Sequence, residues 1–468
     1  MPYQVEKLPE RWPLVQTIEM RGTDPLQDAR LVNCYAEKNV HSGEYTIYKR
    51  PGLSNPIYTP TGGAGLYYWV RTSGALLIYS DASGNIYKNG TLIGTAYLPS
   101  GTFRFQEIGS YLVFSDGYKA FYTDATTVTQ ITDADFPPFS AQGFGKGLAF
   151  LNGTLYVLTY AGAVQGSGIN DPVNWDPLNV IQANQEYGVG IAIFKHLSYI
   201  IALKSTSMEV FYDAGNATGS PLSRLEGGFS RRGCLNGESL QIDEDTAFWI
   251  SSNEHGNPQI VRMDNMKISV ISTPVIDRLI ATANNASTFY SAILRIAGHR
   301  FYTLDIVASA NNLTLVYDID QNLWYEWYSS AGVGLRLVGA TAGYVQNLIN
   351  GTIFAMNDTF TQPTDAGTPF PVDIYTPNFD AGVDKGKLLQ LMRVNTDRVV
   401  GSSLLVRHND YDYDPAKWTN YRTFDLGQKR PFITNEGTFH RRAYHFRHYG
   451  PQPFRIVSAD LQLALCPL

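Results

Sequence analysis

Short runs in which apolar and polar residues alternate begin just after Pro51-Gly52 and recur almost to the end of the chain. LYYWV (66–70), ALLIYS (75–80), NIYK (85–88) and TLIGT (91–95) form a first group. FRFQEIG (from 103), YLVFS (from 111), KAFYT (from 119) and TVTQIT (from 127) form a second. Alternation with period two places successive side chains on opposite faces, so each run predicts a half-buried strand. Similar groups open near Leu148, Ile191, Ser239, Phe289 and Leu335, and successive starts lie 37, 45, 43, 48, 50 and 46 residues apart. Four short strands every ~40–50 residues is the repeat of a β-propeller blade. Seven groups predict seven blades, with six as the alternative.

The last group shows only three clear strands, LRLVGATA, YVQNL and TIFAM. A propeller must tie its ends or leave an exposed sheet edge. The segment YTIYKR (45–50) precedes the first blade and has no partner of its own. It is therefore expected to supply the missing fourth strand of the last blade.

Turn chemistry supports the strand reading. Asn89-Gly90, Asn152-Gly153 and Asn350-Gly351 populate the positive φ values of two-residue hairpins. Their Asn-Gly-Thr triplets, like Asn216-Ala-Thr, also fit the glycosylation pattern, but the turn explains them without it. Thr273-Pro274 followed by VIDRLIATA has a cap, a proline in the first turn and helical apolar spacing, which predicts one short helix between blades. DAGTPFPVD after residue 364 reads as a linker. Beyond it LLQLMRV, SSLLVRH, RTFDLG, HRRAYHFRHY and FRIVSADLQLAL read as strands of a separate small sandwich. The expected division is an N-terminal arm over 1–42, a propeller over 43–364 and a sandwich over 365–468.

Composition agrees with an all-β fold: 44% apolar and 17% charged residues, with 42 Gly and 30 Tyr. The net charge of −6 lacks the basic excess of a general nucleic-acid binder. From Ala366 onward 13 basic residues face 10 acidic ones, net +3, while the residues before carry 23 against 32, net −9. An acidic body thus carries a mildly basic end. Three widely separated cysteines, Cys34, Cys234 and Cys466, give neither a disulfide framework nor a zinc cluster and suggest a reducing compartment. MPYQVEKLPERWPLV has Glu and Pro where a signal peptide needs an apolar run, and no stretch approaches the ~18 apolar residues of a membrane span.

No catalytic residue, metal site or cofactor site stands out. HExxH, GxSxG and GxxxxGK[ST] are missing from the sequence. The run Gly143-Phe144-Gly145-Lys146-Gly147 has no Ser or Thr after its lysine and lies at a blade boundary, so its glycines read as turn residues. Asp410, Asp412 and Asp414 match the start of a calcium loop, but Pro415 stands where Gly is required and Tyr421 where a bidentate Glu is required. Asp81, Asp116, Asp124 and Asp318 sit beside turns, whose backbone they can cap. The run of His440, Arg441, Arg442, His445, Arg447 and His448 among Tyr444, Phe446 and Tyr449 is the most unusual local composition. Cations among aromatics suit an acidic partner or nucleic acid, against the plainer reading of an exposed strand with snorkelling arginines. Arg430, Arg441, Arg442 and Arg447 are the candidate subunit or partner contacts.

Several phrases resemble one family. NWDPLN (174–179) is followed by STSMEVFYDAGNA (205–217), GGFSRRGCLNGESL (227–240) and the long run from Thr246 through FWI, the Gly256 turn and ISVIST to the predicted helix. With DARLVNCYAEK (28–38) and Pro51-Gly52-Leu53, this succession is similar to the tail-hub proteins of short-tailed bacteriophages, also called packaged-DNA stabilisation proteins. The likeness is strong over about residues 28–283, and the stretch after Asn174 departs from it in lacking the acidic and proline residues that the resemblance leads one to expect near Ala183 to Gly190. The resemblance implies a non-enzymatic virion protein, assembled in the host cytoplasm as a ring, six copies in relatives, below portal and adaptor. It implies a DNA channel without sequence-specific binding or membrane insertion, retention of packaged DNA, and docking of a needle or plug and of fibres or tailspikes. The competing class is a propeller glycoside hydrolase or carbohydrate-binding protein, which should present paired carboxylates at a central pocket.

Overall fold

The structure, a computed structural model, describes residues 11–18, 28–97, 101–137, 143–252, 258–283, 289–307 and 312–466. Seven antiparallel sheets follow one another from Gly65–Arg71 to Ile353–Ala355, and their first strands surround a common centre. Blades one to four each have four strands. In blade five the innermost position is shared by Gly233–Cys234 and Gln241–Asp243, both paired to Thr246–Ser252. The one α-helix among the described residues, Pro274–Ala283, lies between blades five and six as its capping pattern predicts. Asn89 and Gly90 have φ of 45° and 90°, Asn152 and Gly153 of 48° and 89°, so both hairpins turn through the left-handed pair that Asn-Gly favours. At Asn350-Gly351 only the glycine has positive φ, and Asn350 Oδ1 instead accepts from Thr352 N at 3.0 Å inside a longer loop.

Blade seven is closed from the N-terminal side, but not by residues 45–50. Tyr45–Lys49 pairs with Cys34–Lys38 on one side and Arg455–Leu465 on the other, inside the C-terminal sandwich. Ile47 is buried in that core and Lys49 reaches Gly450 O at 2.9 Å, which fixes the strand there. The outer edge of blade seven is met by residues 54–58: Ile57 N donates to Ile353 O at 2.8 Å, and Ile353 N to Tyr58 O and Ser54 N to Ala355 O at 2.9 Å each. The ring is thus tied by the segment immediately before blade one.

The approach to that segment is tight. Gly52 N donates to Gln362 O at 2.5 Å, and a Cβ on Gly52 would overlap the Thr364 carbonyl. Since the clash is with backbone, Gly52→Ala is expected to lower the melting temperature by several degrees, measured by calorimetry; an unchanged transition would show that the crossing has slack.

The sandwich is a continuation of blade six. That blade's outermost strand, Leu323–Trp327, pairs in parallel with Arg30–Val32, which pairs antiparallel with Pro371–Tyr375. Ala443–Tyr449, Ser403–Asn409 and Arg422–Asp425 extend the same sheet to nine strands. The second sheet contains Cys34–Lys38, Tyr45–Lys49, Arg455–Leu465, Lys387–Thr396 and Phe432–Thr434. One apolar core runs across the junction, joining Phe301, Tyr325 and Trp327 of blade six to Val372, Phe446 and Ile456 of the sandwich. Trp327 Nε1 donates to Cys34 O at 3.1 Å, which satisfies the indole's polar edge inside that core. The Gly256 turn of the family likeness lies outside the described residues.

Candidate functional site

The centre of the propeller is a cavity of about 310 Å³ lined by at least one residue from each of the seven blades, among them Tyr67, Arg104, Leu148, Ile193, Ile293 and Val338. This is the scale of a small-ligand pocket. None of the described residues lining it is Asp or Glu, so the carboxylate pair of a hydrolase is not placed there. Beside it, where Arg104 and Gly237 form the wall, Glu238 is held by Lys146 Nζ at 2.9 Å, Arg104 Nη2 at 3.4 Å and Thr102 N at 3.1 Å. Lys146 also donates to Thr102 O at 3.0 Å and Asp116 O at 2.9 Å. Burial works against the Glu238 carboxylate, yet the charges of Lys146 and Arg104 outweigh it and hold its pKa below the ordinary value. Blades two and five and the strand leading into blade three are thereby pinned together. The lysine between Gly143 and Gly147 is a structural tie.

A second buried charge cluster sits where the N-terminal strands, blade six and the sandwich meet. Arg50, completely buried, grips Asp365 with two bonds of 3.0 and 2.8 Å. It also donates to Asn33 Oδ1 at 3.2 Å and Tyr328 O at 2.8 Å, and lies over the Phe370 ring at 3.8 Å. Asp365 accepts further from Leu53 N and Ser330 N at 3.2 and 2.9 Å. Lys49 lies over the same ring at 4.3 Å, and burial lowers its pKa to about 8. The stretch read as a linker thus begins with a residue locked to both halves of the molecule. Arg50 and Asp365 lie 315 positions apart, and no local motif could pair them.

The arginines expected at a contact surface separate into two kinds. Arg442 is 1% exposed, so it faces inward and is corrected from a contact to a core residue. It holds Asp410 bidentately at 2.7 and 2.8 Å, donates to Glu436 O at 2.8 Å and lies over Phe439. Arg430 is exposed, Arg441 is exposed and paired with Asp412, and Arg447 is half-exposed with two bonds to Asp373 at 2.6 and 3.0 Å. Tyr444, His445, Phe446 and His448 are also interior, because Ala443–Tyr449 is a central strand flanked by Pro371–Tyr375 and Ser403–Asn409, while His440 and Tyr449 are exposed. His445 donates through Nε2 to Asp373 at 2.7 Å and accepts Arg407 Nε at 3.0 Å on Nδ1, which fixes a neutral ring. His448 Nε2 lies 2.9 Å from Ser402 Oγ.

The acidic residues have equally local work. Asp410 and Asp412 are taken by Arg442 and Arg441, and Asp414 caps a short helical turn by accepting Ala416 N at 2.9 Å. Asp81, Asp116, Asp124 and Asp318 each accept turn N–H groups, for example Tyr118 N at 2.7 Å on Asp116, as turn-capping carboxylates should.

Residues 69–333 match the family model described as Bacteriophage P22 Gp10, beta-propeller. No curated protein matches the chain. Among solved structures, the WD40 domain of Neurospora crassa Pan2 is 10% identical, over 66% of this chain and 94% of that one, with a TM-score of 0.39. BamB of Moraxella catarrhalis is 12% identical, over 60% and 91%, with a TM-score of 0.35.

Proposed function

Because the chain belongs to the bacteriophage stabilisation family of β-propellers, the family of P22 Gp10, we propose that it forms a ring-shaped tail hub below the portal and adaptor. In this reading the ring extends the DNA channel, retains packaged DNA, and docks a needle or plug and fibres or tailspikes. Family membership carries the reading, and the geometry of the single chain is compatible with it. The propeller's centre is a cavity of about 310 Å³ crossed at one side by the Glu238 cluster, so a duplex has to pass between subunits and not through one. Propeller and sandwich share a sheet and a core, which suits a part that transmits load without hinging.

An acidic body favours passage over binding, since phosphates are repelled where no basic excess displaces counterions. The mildly basic end can then meet the acidic body of a neighbour. Arg430, Arg441 and Arg447 remain available for such contacts, while Arg442 does not. Replacing Arg430 and Arg441 together with Ser, and leaving Arg447 on its buried partner Asp373, is expected to leave the melting temperature within a few degrees and to weaken ring or adaptor association, with the wild-type interaction falling as salt rises past ~0.1 M. Particles of normal yield and infectivity from that variant would remove these residues from the interface. The whole reading is tested by mixing the chain with portal and adaptor proteins and imaging the product: a ring seated on the adaptor supports it, and failure to bind either component overturns it.

A further inference from the structure

Two opposite ends of the molecule carry opposite charge. The sandwich grows out of blade six, and its far edge is formed by Arg422–Asp425, last in the nine-stranded sheet, and Phe432–Thr434, last in the second sheet. Arg422 Nη1 donates to Thr434 O and joins them. Five strand spacings of ~4.8 Å put this edge about 24 Å past the outermost strand of blade six. Around the seven-bladed ring, blades two and three each stand three places from blade six, one in either direction, and so lie at the other end.

The far edge of the sandwich is basic. Val399 N donates to Leu426 O and Leu426 N to Ser402 O, both at 3.0 Å, and Arg398 Nε donates to Gly427 O at 2.7 Å, which makes one surface of two loops. Residues 393–402 and 422–432 contain five basic and two acidic side chains. With the ion-pair partners that other segments bring, Arg455 on Asp397 and Glu436 on Arg422, the count is six against three, net +3. Asp460 and Glu44, farther along the second sheet, are matched by Arg11 and by Lys38 over Tyr45. Val400 and Phe432 stand among these cations, 79% and 54% exposed.

The opposite end is acidic. Gln165 Nε2 donates to Asp135 O at 2.6 Å and the Phe136 and Trp175 rings meet at 4.8 Å, which joins the outer flanks of blades two and three. Residues 104–182 contain seven acidic and three basic side chains. Glu238, held by Arg104 and Lys146, adds a carboxylate, and Arg71 and Lys88, which reach from blade one to Asp124 O and Ala125 O, add two cations. Eight against five leaves −3. Arg224, which reaches Gln182 O, brings its own carboxylate, Glu209. Ile169 and Leu178 of blade three are 76% and 68% exposed.

Apolar side chains inside a charged rim are the anatomy of a protein interface. The basic edge alone would fit any polyanion. The acidic flank at the other end of the same chain singles out a second copy, whose head-to-tail contact uses two different surfaces and repeats from subunit to subunit. We propose that the Arg422–Phe432 edge of one copy lies against blades two and three of the next. The inference rests on the ring reading and names its subunit contact.

Sedimentation velocity on the full chain, alone and with portal and adaptor, tests it with two charge-reversed variants, Lys429→Glu with Arg430→Glu and Asp135→Lys with Asp176→Lys. All four side chains are exposed, so melting temperatures should stay within a few degrees of wild type. Each variant should associate about tenfold more weakly, and an equimolar mixture should regain wild-type association, because the reversed edge of one then meets the reversed flank of the other. Wild-type association itself should weaken about tenfold between ~0.05 and ~0.5 M salt, a measurement that needs no variant to fold. Salt-independent association, wild-type behaviour of either variant, or a mixture no stronger than its components overturns this contact and leaves the ring reading intact. A different acidic partner on the basic edge gives that last result, since the flank variant then has nothing to rescue. A wild-type chain that stays monomeric even with portal and adaptor overturns both.

Discussion

A chain lacking residues 1–50 is expected to keep a closed propeller and lose its sandwich. The deletion removes three strands, Arg30–Val32, Cys34–Lys38 and Tyr45–Lys49, from two sheets of the sandwich. It also removes Arg50 and leaves Asp365 without its cation. Breaking a buried pair by deleting one partner costs about 3–5 kcal/mol on its own. Residues 54–58 survive and still cover the edge of blade seven. Extending the deletion through residue 60 should open the ring as well. Limited proteolysis read by mass spectrometry distinguishes the two: cleavage confined to the region after 366 in the shorter deletion, and cleavage across 65–355 in the longer one. If both truncations leave the sandwich protected, the N-terminal strands are ornaments and the welded-sheet account is wrong.

Acidification should loosen the sandwich before it affects the propeller. Burial first, then Arg407 and Arg447, hold His445 down to about 4 against the opposing pull of Asp373. Burial, with Lys49 adding to it, also holds His448 down to about 4. An unfolded histidine titrates near ~6.5. Between those values the unfolded chain binds protons that the native sandwich refuses, so stability falls as pH drops from about 6.5 to about 4. At ~1.4 kcal/mol per pH unit, each ring can remove roughly 3 kcal/mol over that window. In blade six the sign is opposite: burial lifts the Asp305 carboxyl to about 6, above its ordinary value, so the native propeller gains protons relative to the unfolded chain below that pH. Trp418, 5.9 Å from His445 and stacked by Arg407, reports the sandwich by fluorescence. His445→Gln with His448→Gln should flatten its response between pH 7 and pH 4.5, even if both variants begin less stable. A sandwich that melts at one temperature across that range would refute the assignment.

The blades were legible because their signals are local. Alternation and turn residues lie within a few positions of each other, and each blade is built from neighbours in sequence. Residues 54–58 were not legible: Pro56 and the lack of alternation make SNPIY look like a turn, and only the open edge of Ile353–Ala355 gives its backbone partners. Arg442 misleads for a related reason. A cation beside aromatics reads as surface, and its anion, Asp410, stands 32 positions away in the bend after Ser403–Asn409. The ties at Glu238 and Arg50 join residues too distant for any motif to span. Local physics thus predicts the repeats, and the long-range charges that lock them become visible only when the ring is closed.

The pairing of Tyr45–Lys49 with Arg455–Leu465 also sets a timetable. The ribosome releases the first of these strands long before the second exists. At roughly 5–20 residues per second, about 20–80 s separate them. Arg30–Val32 has no sheet to join until Leu323–Trp327 is made, and Tyr45–Lys49 lacks its second neighbour for the whole interval. A chain interrupted before Arg455–Leu465 therefore lacks the strand that joins Tyr45–Lys49 to Lys387–Thr396 in its sandwich. Only finished chains can be counted into an assembly, so completeness of synthesis is checked by the fold itself before any partner has to recognise it.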